Sequence, residues 1–123
     1  MVLCFNYKAI GQLYYLKKES DFKIGELKGI FSDTFEMTFQ MSLDHVSPGF
    51  WNLRRYRISP EYGGILGVWQ QLNEDTSVRE NVEYMKQACI PRLEVERVQC
   101  MESSLVLNET LAAHEIRLIV ISR

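Results

Sequence analysis

A chain of 123 residues with a formal net charge of −2 has room for one domain and little more. Its 46% hydrophobic and 24% charged residues are the makeup of a folded protein, which excludes a disordered chain. The slight negative balance also excludes a general polyanion binder with a basic surface, so affinity for nucleic acid would need a local patch.

In chain order, "VLCFNYKAIGQLYYLKK" (residues 2–18) is rich in aromatic and branched side chains. It reads as one long strand broken at Gly11, or as a hairpin turned there. Ser20 then offers a helix N-cap with Asp21 in the first turn, and Ile24, Leu27, Ile30 and Phe31 fall on one helical face. Gly25 and Gly29 weaken this helix by about 1 kcal/mol each relative to alanine. "FEMTFQMSL" alternates without a fault, Phe35, Met37, Phe39, Met41 and Leu43 against Glu36, Thr38, Gln40 and Ser42, which predicts a strand with one wet face. Pro48-Gly49 turns the chain, and "FWNLRRYRI" returns as a strand.

Residues 60–73 carry Gly63, Gly64 and Gly67 in "EYGGILGVWQQL", a pattern that leaves helix and strand both open. Ser77-Val78-Arg79-Glu80 has capping-box spacing, and Val78, Val82, Met85 and Cys89 form the apolar stripe of a helix that Pro91 ends. "RLEVERVQC" and "HEIRLIVIS" read as strands, the second apolar enough on both faces to be central. The order predicts a single globular α+β domain over residues 1–123. Its sheet is mostly antiparallel with two main helices packed on one face. The leading expectation is a ferredoxin-like βαββαβ arrangement plus a C-terminal strand.

The stretch "SPGFWNLRRYRIS" (47–59) holds three arginines and three aromatics beside a turn. With Pro48 and Gly49 as the centre of a two-residue hairpin, Phe39 faces Ile58, Met41 faces Tyr56 and Leu43 faces Arg54. Gln40 then faces Arg57 and Ser42 faces Arg55, so Arg55 and Arg57 project from the wet face with Trp51 while Tyr56 packs inward. Trp51, Arg54, Arg55 and Arg57 are accordingly the candidate partner-binding residues, guanidinium groups for an anion and an indole for stacking or anchoring. The plainer alternative is that the arginine stems cover sheet surface and pair with Glu36 or Asp44.

No catalytic constellation stands out. His114 and Glu115 are adjacent and would point to opposite faces of a strand, which makes His114 a structural histidine. Cys4, Cys89 and Cys100 lack metal-ligand spacing and read as reduced thiols, and "YGGILG" matches no phosphate-loop pattern, so neither metal nor cofactor is expected. The N-terminus lacks the charged region and cleavage site of a signal peptide, and no apolar run approaches the ~18 residues of a membrane span. A cytoplasmic or nuclear location is expected.

The functional expectation is a small non-enzymatic binding or adaptor protein, of the kind common among viral accessory and regulatory proteins. It would dock a protein partner through the sheet face around residues 50–58. The alternatives are a nucleic-acid-binding module on the same patch, or a small enzyme or ligand-binding domain. The last would have its pocket between sheet and helices near His114, with Tyr14, Tyr15, Tyr62 and Trp69 as further residues of interest. Strongly apolar strands with weak helices to cover them also predict a homodimer.

Overall fold

A computed structural model describes residues 1–18, 29–72 and 77–123. The elements are β1 (Val2–Phe5), α1 (Gln12–Leu16), β2 (Met37–Asp44), β3 (Gly49–Ile58), α2 (Ile65–Gln71), α3 (Arg79–Ala88), β4 (Arg92–Cys100), β5 (Ser104–Leu111) and β6 (Ile116–Ser122). The strands form a four-stranded sheet in the order β1-β6-β3-β4 and a two-stranded sheet of β2 and β5, with every pairing antiparallel.

The two sheets lie face to face as a β-sandwich. Leu53 of β3 and Ile119 of β6 meet Leu105 and Leu107 of β5 in one buried cluster, with Cys4, Met41, Leu43, Val46, Val98 and Ile121 packed around it. Side chains two apart along a strand share a face, so each strand contributes an inner row to this core. The outer face of the two-stranded sheet is polar, with Thr38 Oγ1 3.1 Å from Thr110 Oγ1 and Gln40 Nε2 donating to Asn108 Oδ1 at 3.0 Å.

The ferredoxin-like expectation is therefore overturned: a second sheet, and not a pair of helices, covers the first. The hairpin expected between β2 and β3 does not form. β2 pairs with β5, Met41 opposite Leu107 and Leu43 opposite Leu105, while β3 crosses to the other sheet and lies between β4 and β6. His45, in the left-handed region at φ 61°, and Gly49, at φ 134°, turn the chain between the layers. Val46 N–H donates to Ser103 O at 2.9 Å, which ties this crossing to the β4–β5 turn.

Other segments follow the sequence more closely. The alternating stretch is a strand over Met37–Asp44, and the stretch after Pro48 is a strand from Gly49 to Ile58. The expected helix forms as α3, which buries Met85 and stops before Pro91, but its N-cap is Val78 and carries no side-chain cap hydrogen bond, so the capping box read from Ser77 is not what opens it. The described part of the 60–73 stretch, residues 60–72, forms a tight corner followed by α2. At that corner a Cβ on Gly63, whose φ is 69°, would stand 2.9 Å from Ile90 O, so these glycines serve close backbone packing. The expected long N-terminal strand is only four residues, and Gln12–Leu16 is helical. The helix expected from Ser20 lies outside the described residues for most of its length. Among the described residues no helix is long and apolar enough to cross a membrane.

Asn6 closes the end of the sandwich. Its side-chain amide is buried and lies 3.1–3.2 Å from the carbonyl oxygens of Phe35, Leu111 and Ala112, joining the end of β1 to β5 and to the approach of β2. Leu53, wholly buried at the centre of the apolar cluster, sets the expected scale for core damage. Leu53→Ala should lose about 2–5 kcal/mol of stability in denaturant unfolding, whereas Leu93→Ala, on a half-exposed outer position, should lose under ~1 kcal/mol.

Candidate functional site

Beside the apolar cluster, the inner face of the four-stranded sheet carries charge. β3 alternates Leu53, Arg55, Arg57 on the side where β6 presents Ile121, Ile119 and Arg117. β5 alternates Leu105, Leu107, Glu109, Leu111 toward them. Four inward positions that would ordinarily be apolar are thus arginine or glutamate, and each must find a partner inside the fold.

They find one another. Arg55 donates from Nη1 to Glu96 at 2.8 Å and from Nε to Glu109 at 2.8 Å. Glu109 also accepts from Arg117 Nη1, and Arg117 donates from Nε to Glu115 at 2.8 Å and from Nη2 to Thr110 O at 2.9 Å. Glu115 accepts from Arg57 Nε at 2.9 Å, and Arg57 Nη1 donates to Glu94 at 2.8 Å. Arg92 completes the row, its Nε 3.6 Å from Glu94. The result is an unbroken alternation of four glutamates and four arginines running from Glu96 to Arg92 through the sandwich. Its middle, Glu109, Arg117 and Glu115, is buried.

Electrostatics follow from that alternation. Burial alone would push the Glu115 carboxyl up, but hydrogen bonds from Arg57, from Ala112 N–H and from Arg117 outweigh it and hold the group below its ordinary value. Arg57 is raised, chiefly by its hydrogen bonds to Glu115, and Arg55 is raised because its bonds to Glu96 and Glu109 exceed the cost of desolvation. The Cys4 thiol is pushed up by burial, with Glu109 adding to the effect and Arg117 opposing it.

The sequence-derived partner residues fall on two sides of the sheet. Arg55 and Arg57 point inward and are engaged in the charge row, a correction to the expectation that they project from a wet face with Trp51. Neither pairs with Glu36 or Asp44. Trp51 also lies on the inner side, half-buried opposite Val98, with Nε1 donating to Ser47 O at 3.0 Å and Arg123 over its ring. Arg54 alone faces outward, exposed, opposite Val95 and Val120. Tyr56, expected to pack inward, shares that outer face. The surprise has one cause: with β3 placed in the other sheet, the face of Leu53 becomes the inner one.

His114 sits in the β5–β6 turn with φ 61°, its N–H donating to Asn6 O at 2.9 Å and its ring 4.1 Å from the Phe31 ring. The adjoining cleft, lined by Phe5, Asn6, Tyr7, His114, Glu115 and Ile116, holds only about 180 Å³, below the ~300 Å³ at which small-molecule sites begin. Among the described residues no group of three His, Cys, Asp or Glu side chains could hold a metal ion. Glu94, Glu96, Glu109, Glu115 and Arg117 were not singled out from sequence. The signal for them was present as charges inside apolar alternations, Glu109 among leucines and Arg117 beside Ile119 and Ile121.

No protein-family pattern matches the chain, and no curated protein matches it either. Solved structures do. A GH39 enzyme from Xanthomonas axonopodis pv. citri superimposes with a TM-score of 0.65 at 13% identity, covering 98% of this chain and 23% of that one. A monomeric β-xylosidase from Caulobacter crescentus CB15 gives 0.66 at 12% identity, with the same 98% and 23% coverage. A bacterial orthologue of human α-L-iduronidase gives 0.54 at 12% identity over 74% of this chain and 18% of its own. The chain thus spans about a quarter of the first two. These likenesses establish the fold: a sandwich of the kind built into glycoside hydrolases. The expectation of a non-enzymatic adaptor docking through residues 50–58 falls with them, because the fold is not ferredoxin-like and two of its three arginines are spent inside. The nucleic-acid alternative loses the same patch.

The charge row yields two expected outcomes. Arg117→Met should destabilise by about 3–5 kcal/mol, since it removes the buried cation that Glu109 and Glu115 share and leaves each with a single arginine, while Glu96→Gln at the exposed end should cost under ~1 kcal/mol; urea unfolding distinguishes them. Because Glu115 is held below its ordinary 4.5, its contribution is fully present above that pH and is lost as pH falls through the folded value. Unfolding free energy measured from pH 7 to pH 3 should therefore drop below about pH 4.5, and Glu115→Gln, less stable at neutral pH, should drop less steeply there.

Proposed function

We propose that this chain is a β-sandwich domain of a glycoside-hydrolase type of enzyme, supporting a catalytic unit rather than breaking the glycosidic bond itself. The observation that carries this reading is near-complete coverage of the chain by one quarter of two such enzymes. It is the enzyme alternative, rather than the adaptor, that this coverage favours.

The role within the enzyme follows from the carboxylates. Glycoside hydrolysis needs two carboxyl groups flanking the sugar, one of them raised enough to donate a proton. The four glutamates gathered by this fold are each tied to arginine, and Glu115 is lowered, the opposite of what a general acid requires. Glu109 and Glu115 are also sealed from any substrate. Their arrangement suits a rigid support.

The test compares two samples on aryl β-xylosides: the purified 123-residue chain, and material retrieved from its source cells with an antibody against it. Hydrolysis is expected from the retrieved material and not from the purified chain. Retrieved material without glycosidase activity would refute the reading, and so would turnover by the purified chain that disappears in Glu94→Gln or Glu96→Gln.

A further inference from the structure

Among the described residues, no second sheet lies over the outer face of the four-stranded sheet. Register places Leu3, Leu118, Tyr56 and Leu93 in one row across all four strands, flanked on one side by Phe5, Ile116 and Ile58 and on the other by Val120, Arg54 and Val95. Leu3, Phe5, Leu93, Val95 and Ile116 keep between 45% and 63% of their surface in solvent. An amphipathic strand normally turns its polar side outward, as β2 and β5 do in the other sheet. Here the outer side is mostly apolar, and the charged row lies on the inner one.

From this face we infer a homodimer: a second copy of the chain packs its own four-stranded sheet against it, outer face to outer face. Area is the first ground. At ~150–200 Å² for a large side chain, the exposed parts of the face amount to on the order of 600 Å². That is the top of the range a monomer ordinarily shows and approaches the ~800 Å² each partner contributes to a standard interface.

Charge is the second ground. No carboxylate occupies an outward position on the four strands, and the two arginines there, Arg54 and Arg97, lie toward one end. Arg97 is already placed over the Phe50 ring at 4.4 Å. A two-fold axis along the Leu3–Leu118–Tyr56–Leu93 row sets the Phe5–Ile116–Ile58 row of each copy over the Val120–Val95 row of the other. Arg54 of each copy then lies across from Ile58 of the other and Arg97 sits further out on the edge strand, so the arginines of the two copies fall on opposite sides of the axis with their stems on apolar surface. Two identical faces can thus close on each other without opposing like charges, at the ~10 Å spacing of packed sheets.

Sedimentation velocity of the purified chain from 1 to 100 µM tests this. A species of two chains is expected to dominate at the upper concentrations. Leu93→Glu with Val95→Glu should weaken association at least 100-fold while leaving the melting temperature within a few degrees, because both positions are half exposed already. Thr38→Glu, on the polar face of the two-stranded sheet, should leave association unchanged. Monomer at every concentration, or a dimer indifferent to the β4 substitutions, would overturn the inference. Hydroxyl-radical footprinting reads the same surface directly: Leu3, Phe5 and Ile116 should be shielded as the dimer forms. Shielding of these residues only in the enzyme retrieved from cells, with the pure chain monomeric, would give the face to another domain and overturn the second copy as its occupant. The dimer does not depend on the glycosidase reading, which the xyloside assay tests separately.

Discussion

A buried guanidinium cannot be left alone, and Arg117 is buried between two sheets. Its charge is met by Glu109 on β5 and by Glu115 just before β6 on its own sheet, with Thr110 O taking a further N–H. Those two carboxylates are themselves shared with Arg55 and Arg57. One desolvated cation therefore fixes the mutual placement of three strands and joins the two layers. The apolar cluster supplies burial without direction. The charge row supplies direction.

That constraint bears on register. In an antiparallel sheet, a slip of one residue exchanges inner and outer faces. For β2 such a slip would swap methionine and phenylalanine for threonine and glutamine, a cost the hydrophobic pattern alone enforces. For β3 and β6 the outer faces are also apolar, so hydrophobicity discriminates weakly between the two. What discriminates is that Arg55, Arg57 and Arg117 must meet Glu109 and Glu115, and they can do so only from the inner face. A row of ion pairs adds little net stability against an apolar equivalent, because desolvation offsets attraction. Its evident consequence here is a single alignment of strands that would otherwise be ambiguous.

The same row shapes the functional reading. Four glutamates are each paired with arginine, and Glu115 among them is held below its ordinary value, in a fold that solved glycoside hydrolases contain as about a quarter of their chain. The outer face of the four-stranded sheet, by contrast, keeps Leu3, Phe5, Leu93, Val95 and Ile116 about half in solvent.

Local pattern determined much of the chain unaided. The strict alternation from Phe35 to Leu43, the turn at Pro48-Gly49, the helix closed by Pro91 and the apolar C-terminal strand all follow from periodicity and backbone chemistry, which act over a few residues. β5 did not emerge, because Glu109 interrupts the leucine alternation that would have marked it, and without β5 the strand β2 had no partner but β3. The mistaken hairpin, the ferredoxin-like layout and the outward placement of Arg55 and Arg57 all descend from that one omission. Whether Arg55, a charge in an apolar stripe, is an exposed binding group or half of a buried pair depends on Glu109, 54 positions away. Short-range pattern carries no trace of such a partner; only the packing of one sheet on the other decides it.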